Sequence, residues 1–221
     1  MKAVRPRRLS RACAALAALA AGAISCGGDS PVKPTGGRAP TPVVVAFGDS
    51  LTAGPGLRPE ETWPALLEHR ARAAGYPHRF HNAGVSGDTT SDAVRRLDGA
   101  LIPDGRVFIV ALGANDGLRG VPIAAIRSNL EIIIERAQER GLRVLLCGME
   151  TPPTHGWQYS VDFHRLFPDL AARYGVPLVP FLLVGVVGNP DYSLGDRIHP
   201  NGAGMRVIAD TMWPYVQPLL A

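Results

Sequence analysis

Cysteines are scarce in this sequence of 221 residues, and their positions exclude one class of fold. Only three occur, and two of them, Cys13 and Cys26, lie within the first 26 residues. Cys147 is therefore alone in the remaining chain, which excludes an internal disulfide framework there. Its place in an apolar run predicts a buried thiol. The 25 glycines and 20 prolines follow no three-residue period, which excludes a collagen-like chain.

An excess of positive charge is also missing from most of the chain. The formal net charge is +4, and five basic residues precede Cys26 with no acidic residue among them. Removing those five from +4 leaves a formal net charge of −1 for the remainder. Because a nearly neutral surface has no general attraction for phosphate backbones, the sequence argues against a nucleic-acid partner.

The first 25 residues have the pattern of a signal peptide. Residues 1–11 are basic and residues 12–25 are almost all apolar or small. That apolar run is shorter than the ~20 residues of a membrane-spanning helix. The segment ends in Ala-Ile-Ser-Cys, which resembles a bacterial lipobox, and a lipid on Cys26 would attach the mature protein to a membrane.

Residues 26–42 are rich in Gly, Pro, Ser and Thr, a composition typical of flexible tethers. Together with the preceding segment, they predict an exported lipoprotein of the cell envelope. Ordinary signal cleavage, which would give a periplasmic or secreted protein, is the alternative.

From residue 43 to residue 221, apolar runs alternate with helical patterns, and we take this region as one domain. Four apolar runs predict strands: 43–47, 107–112, 142–147 and 176–179. Residues 79–82 are a weaker candidate for a fifth strand. Five periodic stretches predict helices: 62–74, 89–100, 122–140, 159–174 and 201–219. Runs without inward–outward alternation are typical of parallel strands covered on both faces. The alternation predicts a doubly wound α/β sheet, with its chemistry in the loops that follow the strands.

Motifs that bind cofactors or metals are missing from the sequence. The glycines after the first strand, Gly54 and Gly56, fit neither a P-loop nor a dinucleotide fingerprint. Five histidines lack the paired spacing of a zinc site: His69, His78, His81, His155 and His164. We therefore expect no cofactor and no metal.

Two short segments at opposite ends of the predicted domain combine a nucleophile with a base. Ser50 follows the first strand in Gly-Asp-Ser-Leu, and a serine hydroxyl needs a base before it can attack. His199 has Asp196 three residues before it, a spacing that lets the carboxylate accept the Nδ1–H and fix the imidazole tautomer. Each segment alone has an ordinary explanation, since Ser50 could cap a helix and His199 could be a surface residue.

Two further loops contain hydrogen-bond donors. Gly84, after the second strand, permits close approach of the backbone to a ligand, and Asn115, after the third, offers a side-chain amide. With the N–H of Ser50 they could form an oxyanion hole, although Gly and Asn are also common turn residues. We interpret the neighbouring Asp49 and Asp116 as residues that hold these loops by hydrogen bonds.

Taken together, four blocks in this order resemble those of the GDSL, or SGNH, hydrolases. They are Gly-Asp-Ser-Leu at 48–51, Asn-Ala-Gly-Val-Ser-Gly at 82–87, Gly-x-Asn-Asp at 113–116 and Asp-x-x-His-Pro-Asn at 196–201. The resemblance covers residues 43 to about 219. Segments 62–64 and 113–120 are similar to the bacterial thioesterase, lysophospholipase and arylesterase branch.

The resemblance implies a fold and a set of roles. The fold would be a flavodoxin-like three-layer α/β/α sandwich with a parallel five-stranded sheet. Ser50 would be the nucleophile, His199 the base and Asp196 its orienting acid, while Ser50, Gly84 and Asn115 would hold the oxyanion. Arg197 stands where the family often has a small residue.

The expected function is that of an exported serine esterase that acts through an acyl-serine intermediate. Its substrates would be small-molecule or lipid esters, or thioesters, of short-to-medium acyl chains, with residues 150–160 shaping the acyl pocket. A carbohydrate O-acetylesterase acting on polysaccharide or cell-wall glycan is one alternative. A surface lipoprotein that binds ligands without turnover is another.

Overall fold

The computed structural model describes residues 41–221, so the predicted signal peptide, Cys26 and residues 27–40 of the predicted tether lie outside the described residues. Five parallel strands form one sheet in the order β2-β1-β3-β4-β5. Their bounds are β1 Val43–Gly48, β2 Arg79–Gly84, β3 Gly105–Ala111, β4 Arg143–Cys147 and β5 Leu178–Val179. This sheet confirms the predicted fold class.

Seven α-helices occur in the part of the chain that the structure describes. They are α1 Ser50–Ala53, α2 Trp63–Ala73, α3 Thr90–Ala100, α4 Ala114–Arg119, α5 Ile123–Glu139, α6 Trp157–Tyr174 and α7 Gly202–Val216. Short 3-10 helices lie at Pro59–Glu61, Pro153–His155, Pro190–Tyr192 and Gln217–Leu220. None of the described helices is both long and apolar enough to cross a bilayer.

The strand order explains why helices cover both faces of the sheet. The chain moves one way from β1 to β2 and the other way from β2 through β3, β4 and β5. Because crossovers between parallel strands are right-handed, this reversal places α2 on one face and α3, α5 and α6 on the other. Helix α7 packs against α2, while α5 packs against both α3 and α6. The result is the three-layer sandwich that the sequence predicted.

The hydrophobic core lies along the two central strands. Residues 44–47 of β1 and 107–111 of β3 are fully buried, and the Phe47 and Phe108 rings pack with their centroids 5.1 Å apart. Cys147, at the end of β4, is also buried, and that burial raises the pKa of its thiol above the usual value. The thiol is therefore part of the core, as predicted.

Strand register brings three loops together at one edge of the sheet. Gly48, the last residue of β1, pairs with Gly84 of β2 on one side and Ala111 of β3 on the other. The segments that follow these three residues therefore leave the sheet side by side. This edge is the carboxyl end of the strands, where α/β sheets place their ligands.

Two helices, α2 and α7, begin one residue later than predicted, after residues that differ in how they cap the helix. Thr62 stands at the N-cap of α2, but its hydroxyl donates to the carbonyl of Pro59 at 2.8 Å and makes no capping bond. Asn201 is the cap that begins α7, with its Oδ1 accepting from the N–H groups of Ala203 and Gly204. The short helices α1 and α4 were not predicted, since neither is long enough to show periodicity.

Candidate active site

Ser50 lies in a tight turn that is fixed by contacts with buried residues. It is the first residue of α1, and the Oδ1 of Asp49 caps that helix by accepting the Leu51 N–H at 2.9 Å. The buried Trp63 donates its Nε1–H to the Leu51 carbonyl at 3.1 Å. A side chain at Gly48 would collide with Thr52, since an added Cβ would lie 2.1 Å from its Oγ1. We call residues 48–54 the Ser50 turn.

His199 lies in a separate loop that is built from local contacts. The Leu194 N–H donates to the His199 carbonyl at 2.7 Å, and Ser193 and Pro200 form an antiparallel bridge. Asn201 ties the far end by donating its Nδ2–H to the Ser193 carbonyl at 3.2 Å. We call residues 193–200 the His199 loop.

The fold places the predicted serine, histidine and aspartate in series. The Oγ of Ser50 lies 3.0 Å from Nε2 of His199, across 149 positions of sequence. The Nδ1 of His199 lies 2.6 Å from Oδ2 of Asp196. Since the carboxylate can only accept at neutral pH, Nδ1 carries the proton, which leaves Nε2 free to accept the serine proton.

Asp196 is fixed as an ionised acceptor by its own loop. Besides the imidazole, its Oδ1 accepts the N–H groups of Ile198 at 2.9 Å and His199 at 3.0 Å. These hydrogen bonds, that from the imidazole foremost, lower the pKa of Asp196 to about 2. The Asp196 carboxylate is therefore ionised at neutral and mildly acidic pH.

Asp49 is a second carboxyl at the site, and its surroundings act in the opposite direction. It has no exposed surface, and that burial raises its pKa to about 7, with a smaller contribution from the charge of Asp116. Its Oδ2 lies 3.4 Å from Nδ2 of Asn115. The side chain thus holds the loops, in agreement with the interpretation from the sequence.

The first two predicted oxyanion donors are the N–H of Ser50 and the side-chain amide of Asn115. Within the described residues, the N–H of Ser50 makes no hydrogen bond, as expected of the first residue of a helix. Asn115 donates from Nδ2 to the Asp88 carbonyl at 2.9 Å, and its second hydrogen has only the long contact to Asp49. Asn115 is positioned through its neighbour Asp116, whose carboxylate accepts both the N–H and the hydroxyl of Thr90.

The N–H of Gly84, the third predicted donor, has a hydrogen-bond partner within the protein. Its N–H donates to Oδ1 of Asn82 at 3.0 Å, so this group already has a partner. An added Cβ at Gly84 would lie 2.4 Å from the backbone nitrogen of Ala53, which shows that the glycine is needed for packing against the Ser50 turn.

Gly87 offers a backbone N–H that sequence reasoning did not consider. It lies in the turn from Val85 to Asp88 with a φ of +85°, and no hydrogen bond is made by its N–H among residues 41–221. The same turn accepts the Asn115 amide on the Asp88 carbonyl, which brings the two donors together. The signal was present in the Ser-Gly-Asp that ends the second block, since a glycine there permits the left-handed conformation.

Exposed apolar side chains lie beside these segments, while a separate cavity has none of Ser50, Asp196 and His199 in its lining. Three apolar side chains are exposed by two fifths or more: Val85 after β2, Leu118 on α4 and Ile198 in the His199 loop. Glu150, Thr151, Pro153 and Trp157 contribute to the wall of a cavity of about 600 Å³, which includes part of the predicted pocket loop. Among residues 41–221, no group of three or more His, Cys, Asp or Glu side chains is arranged to hold a metal ion.

This chain is similar to known proteins over most of its length. Residues 46–207 match the model of the GDSL-like lipase/acylhydrolase family. Esterase TesA of Pseudomonas aeruginosa is 37% identical over 184 residues, which cover 83% of this chain and 92% of that protein. Thioesterase 1/protease 1/lysophospholipase L1 of Escherichia coli K12 is 34% identical over 178 residues, covering 80% and 84%. The crystal structure of TesA superimposes with a TM-score of 0.76 at 36% identity, covering 80% of this chain and 99% of that one.

Proposed function

The chain belongs to the GDSL-like lipase/acylhydrolase family and is an ester hydrolase, and from that premise we propose that it works through an acyl-Ser50 intermediate. The observation that carries the proposal is the contact of 3.0 Å between Ser50 Oγ and His199 Nε2. A serine hydroxyl with an oriented imidazole against it is an activated nucleophile.

In the first half of the reaction, Ser50 Oγ attacks the carbonyl carbon of the ester as its proton moves to His199 Nε2. The carbonyl electron pair shifts onto oxygen, and this oxyanion accepts hydrogen bonds from the N–H of Ser50 and the amide of Asn115. We assign the third donor to the N–H of Gly87 in place of Gly84, whose N–H is occupied by Asn82. Collapse then breaks the bond to the leaving alcohol or thiol, which takes the proton from His199.

In the second half, water replaces the alcohol. His199 takes a proton from the water, whose oxygen attacks the acyl carbon, and the same donors hold the new oxyanion. Breaking the bond to Ser50 Oγ releases the acid, and His199 returns the proton to the serine. Throughout, the ionised Asp196 stabilises the imidazolium.

For the substrate, we propose esters or thioesters with apolar acyl chains of short to medium length. The exposed Val85, Leu118 and Ile198 give this edge of the sheet an apolar character that suits an acyl chain. Two similar proteins, an esterase and a thioesterase/lysophospholipase, support the same class of substrate.

A carbohydrate O-acetylesterase is the second candidate, and one observation favours it. Trp157 is 74% exposed in the wall of the cavity of about 600 Å³. A flat aromatic surface beside polar groups can stack against a sugar ring, while the ester would then be an acetyl group. A ligand-binding module without turnover is less favoured, because it does not explain the alignment of Ser50, His199 and Asp196.

We also propose that the protein is exported and anchored by a lipid on Cys26. The support is the basic and apolar pattern of residues 1–25 and the Ala-Ile-Ser-Cys that ends it. Labelling cells with a radioactive fatty acid tests this, since Cys26→Ala should abolish the label and release the protein from the membrane fraction. Equal labelling of both proteins would contradict it.

Replacing the nucleophile tests the mechanism. In Ser50→Ala, turnover of p-nitrophenyl butyrate should fall by about 10⁴-fold or more, since the bond-forming atom is lost. The wild type should also react stoichiometrically with a fluorophosphonate probe, whereas Ser50→Ala should not. Ser193→Ala, which removes a hydroxyl bonded to the Asn189 carbonyl in the His199 loop, is the matched control and should keep its activity. Undiminished turnover by Ser50→Ala would overturn the mechanism.

A panel of substrates separates the two candidate functions. Purified protein is assayed on p-nitrophenyl acetate, butyrate and octanoate, a lysophospholipid and an acetylated xylan. A kcat/KM that rises with acyl length supports the acyl-ester substrate. Activity confined to acetyl groups, together with a large loss in Trp157→Ala on the glycan only, would support the O-acetylesterase instead.

A further inference from the structure

One arginine at the edge of the sheet binds three separate segments at once. Arg96, on α3, donates from Nη2 to the Gly48 carbonyl at 2.9 Å and from Nη1 to the Ala83 carbonyl at 2.9 Å. Its Nε donates to Oδ2 of Asp88 at 2.6 Å. The guanidinium also lies over the Phe47 ring, 4.3 Å from its centroid. Each nitrogen of the side chain therefore has an acceptor on a different segment.

Those segments carry the donors assigned to the oxyanion. The Gly48 carbonyl is two residues before Ser50, and Ala83 and Asp88 bracket the turn that contains Gly87. Asn115 is linked to the same turn, since its amide donates to the Asp88 carbonyl. Moving any of these segments would therefore move a donor relative to the serine.

The distance that matters for an oxyanion hole is small. Donors must lie about 2.7–3.1 Å from the developing oxyanion, and the loss of one costs about 10²–10³-fold in kcat. The ends of β1 and β2 pair within the sheet as far as Gly48 and Gly84, and the Val85 N–H adds one backbone hydrogen bond to the Gly48 carbonyl at 3.0 Å. The rest of the turn at 85–88 is contacted by the side chains of Arg96, Asn115 and Arg119.

We infer that Arg96 is a positioning residue for the oxyanion hole, an inference that rests on the proposed acyl-serine mechanism. Its planar guanidinium holds the Ser50 turn and the turn at 85–88 at a fixed separation. Lysine cannot replace it, because an ammonium group on a flexible stem has no fixed geometry for three acceptors. The side chain touches no reacting atom, so its effect is on the transition state through the backbone donors.

The test compares Arg96→Lys with Arg95→Lys, the same change one position earlier on α3. Arg95 is exposed, and within residues 41–221 its side chain hydrogen-bonds only to Ser91 and Asp92 of its own helix. Active sites are first counted with a fluorophosphonate probe, so that kcat is expressed per reactive serine. Loss of folded protein then lowers the count of sites and leaves kcat per site unchanged.

For Arg96→Lys we expect kcat per titrated site to fall about 10- to 100-fold, with KM of p-nitrophenyl butyrate changed by about threefold or less. Inhibition by butylboronic acid, whose serine adduct is tetrahedral and anionic, should weaken in parallel with the loss in kcat/KM. Asp88→Asn, which keeps the two carbonyl contacts of Arg96, should show a smaller loss of the same kind. Arg95→Lys should match the wild type.

Two results would overturn the inference, and each differs from a failure of the proposed function. One is a kcat per site of Arg96→Lys equal to that of Arg95→Lys. The other is a loss that appears in KM alone, with boronate inhibition unchanged. If the Lys variant yields too few folded sites, the same readouts on Asp88→Asn decide the matter. Failure of the proposed function would show instead as wild-type turnover that does not depend on Ser50.

Discussion

The Ser50 turn and the His199 loop meet at one hydrogen bond, but they are held in place by opposite means. The Ser50 turn is buried, and its contacts come from distant residues, including Trp63 and Arg96. The His199 loop is exposed, and its contacts come from residues within the loop or next to it. Ser50 therefore depends on the core for its position, while His199 depends on a short local structure.

The carboxyl groups of the two regions show the same contrast. Asp196 is half-exposed and accepts three hydrogen bonds, which lower its pKa to about 2. Asp49 is buried, and the removal of water raises its pKa to about 7. At mildly acidic pH, Asp196 is therefore ionised and Asp49 is protonated. The hydrogen bonds to Asp196 stabilise its charged form, whereas the burial of Asp49 disfavours its charged form.

The largest effect should come from removing the charge in the His199 loop. Asp196→Asn cannot hold the imidazole tautomer or stabilise the imidazolium, so kcat should fall about 10²-fold or more. Steady-state kinetics on p-nitrophenyl butyrate measure this, and Asp191→Asn, an exposed carboxylate nearby, is the control. A loss below about threefold would show that the half-exposed acid adds little, and would weaken the contrast.

A smaller effect, on stability, should come from the buried carboxyl. The folded protein keeps the Asp49 proton up to about pH 7, whereas the ordinary value is 3.8. The folded state therefore binds more protons than the unfolded chain between these pH values, and the free energy of unfolding falls as pH rises through this window.

Asp49→Asn removes that titration. Between about pH 4 and pH 7, its free energy of unfolding should decline less than that of the wild type, by an amount on the order of a few kcal/mol. Urea denaturation at several pH values measures the slope. Asp210→Asn, an exposed carboxylate paired with Arg70, should retain the wild-type slope. Equal slopes for all three proteins would mean that Asp49 is ionised throughout.

The smallest effect should come from Arg197, which has a φ of +59°, the only positive φ of a non-glycine residue in the described part of the chain. Arg197→Gly relieves this strain, of order 1 kcal/mol, but gives the unfolded chain more freedom, at about 0.5–1 kcal/mol. We expect stability within about 1 kcal/mol of the wild type and kcat within about threefold. Thermal denaturation measures the stability of both variants. Ile198→Gly, at a residue without a positive φ, should be clearly less stable than the wild type. Similar losses of stability in the two variants would show that Arg197 is unstrained.

The fold was predictable where burial was uniform. The fully buried β1 and β3 appear in the sequence as continuous apolar runs, and both were predicted to within two residues. Strand β2 was the weakest prediction because it forms an edge of the sheet and is largely exposed, so its pairing with β1 has little signature in side-chain type. Helices α1 and α4 have only four and six residues, which is too short for a periodic pattern to predict them.

In the site, local spacing permitted one contact, and the order of the four sequence blocks predicted the other. Asp196 and His199 are three residues apart, a spacing that allows their pairing but alone did not distinguish His199 from an ordinary surface residue. The contact of Ser50 with His199 crosses the whole domain and was predicted only through the order of the four blocks. The bond between Gly84 and Asn82 depends on one side-chain rotamer, and Arg96 had the appearance of an ordinary surface residue of a helix. Neither could be inferred before the segments were placed in space.

The burial of Cys147 has a practical consequence for all of these measurements. In a chain that begins after Cys26 it would be the sole sulfhydryl, and it is enclosed in β4 with its proton tightly held. Maleimides and disulfide reagents attack thiolates that they can reach, so the native protein should be inert to them and need no reductant. The rate at which a thiol reagent modifies Cys147 would then report how often the sheet opens, so it measures the opening of each variant without an added probe.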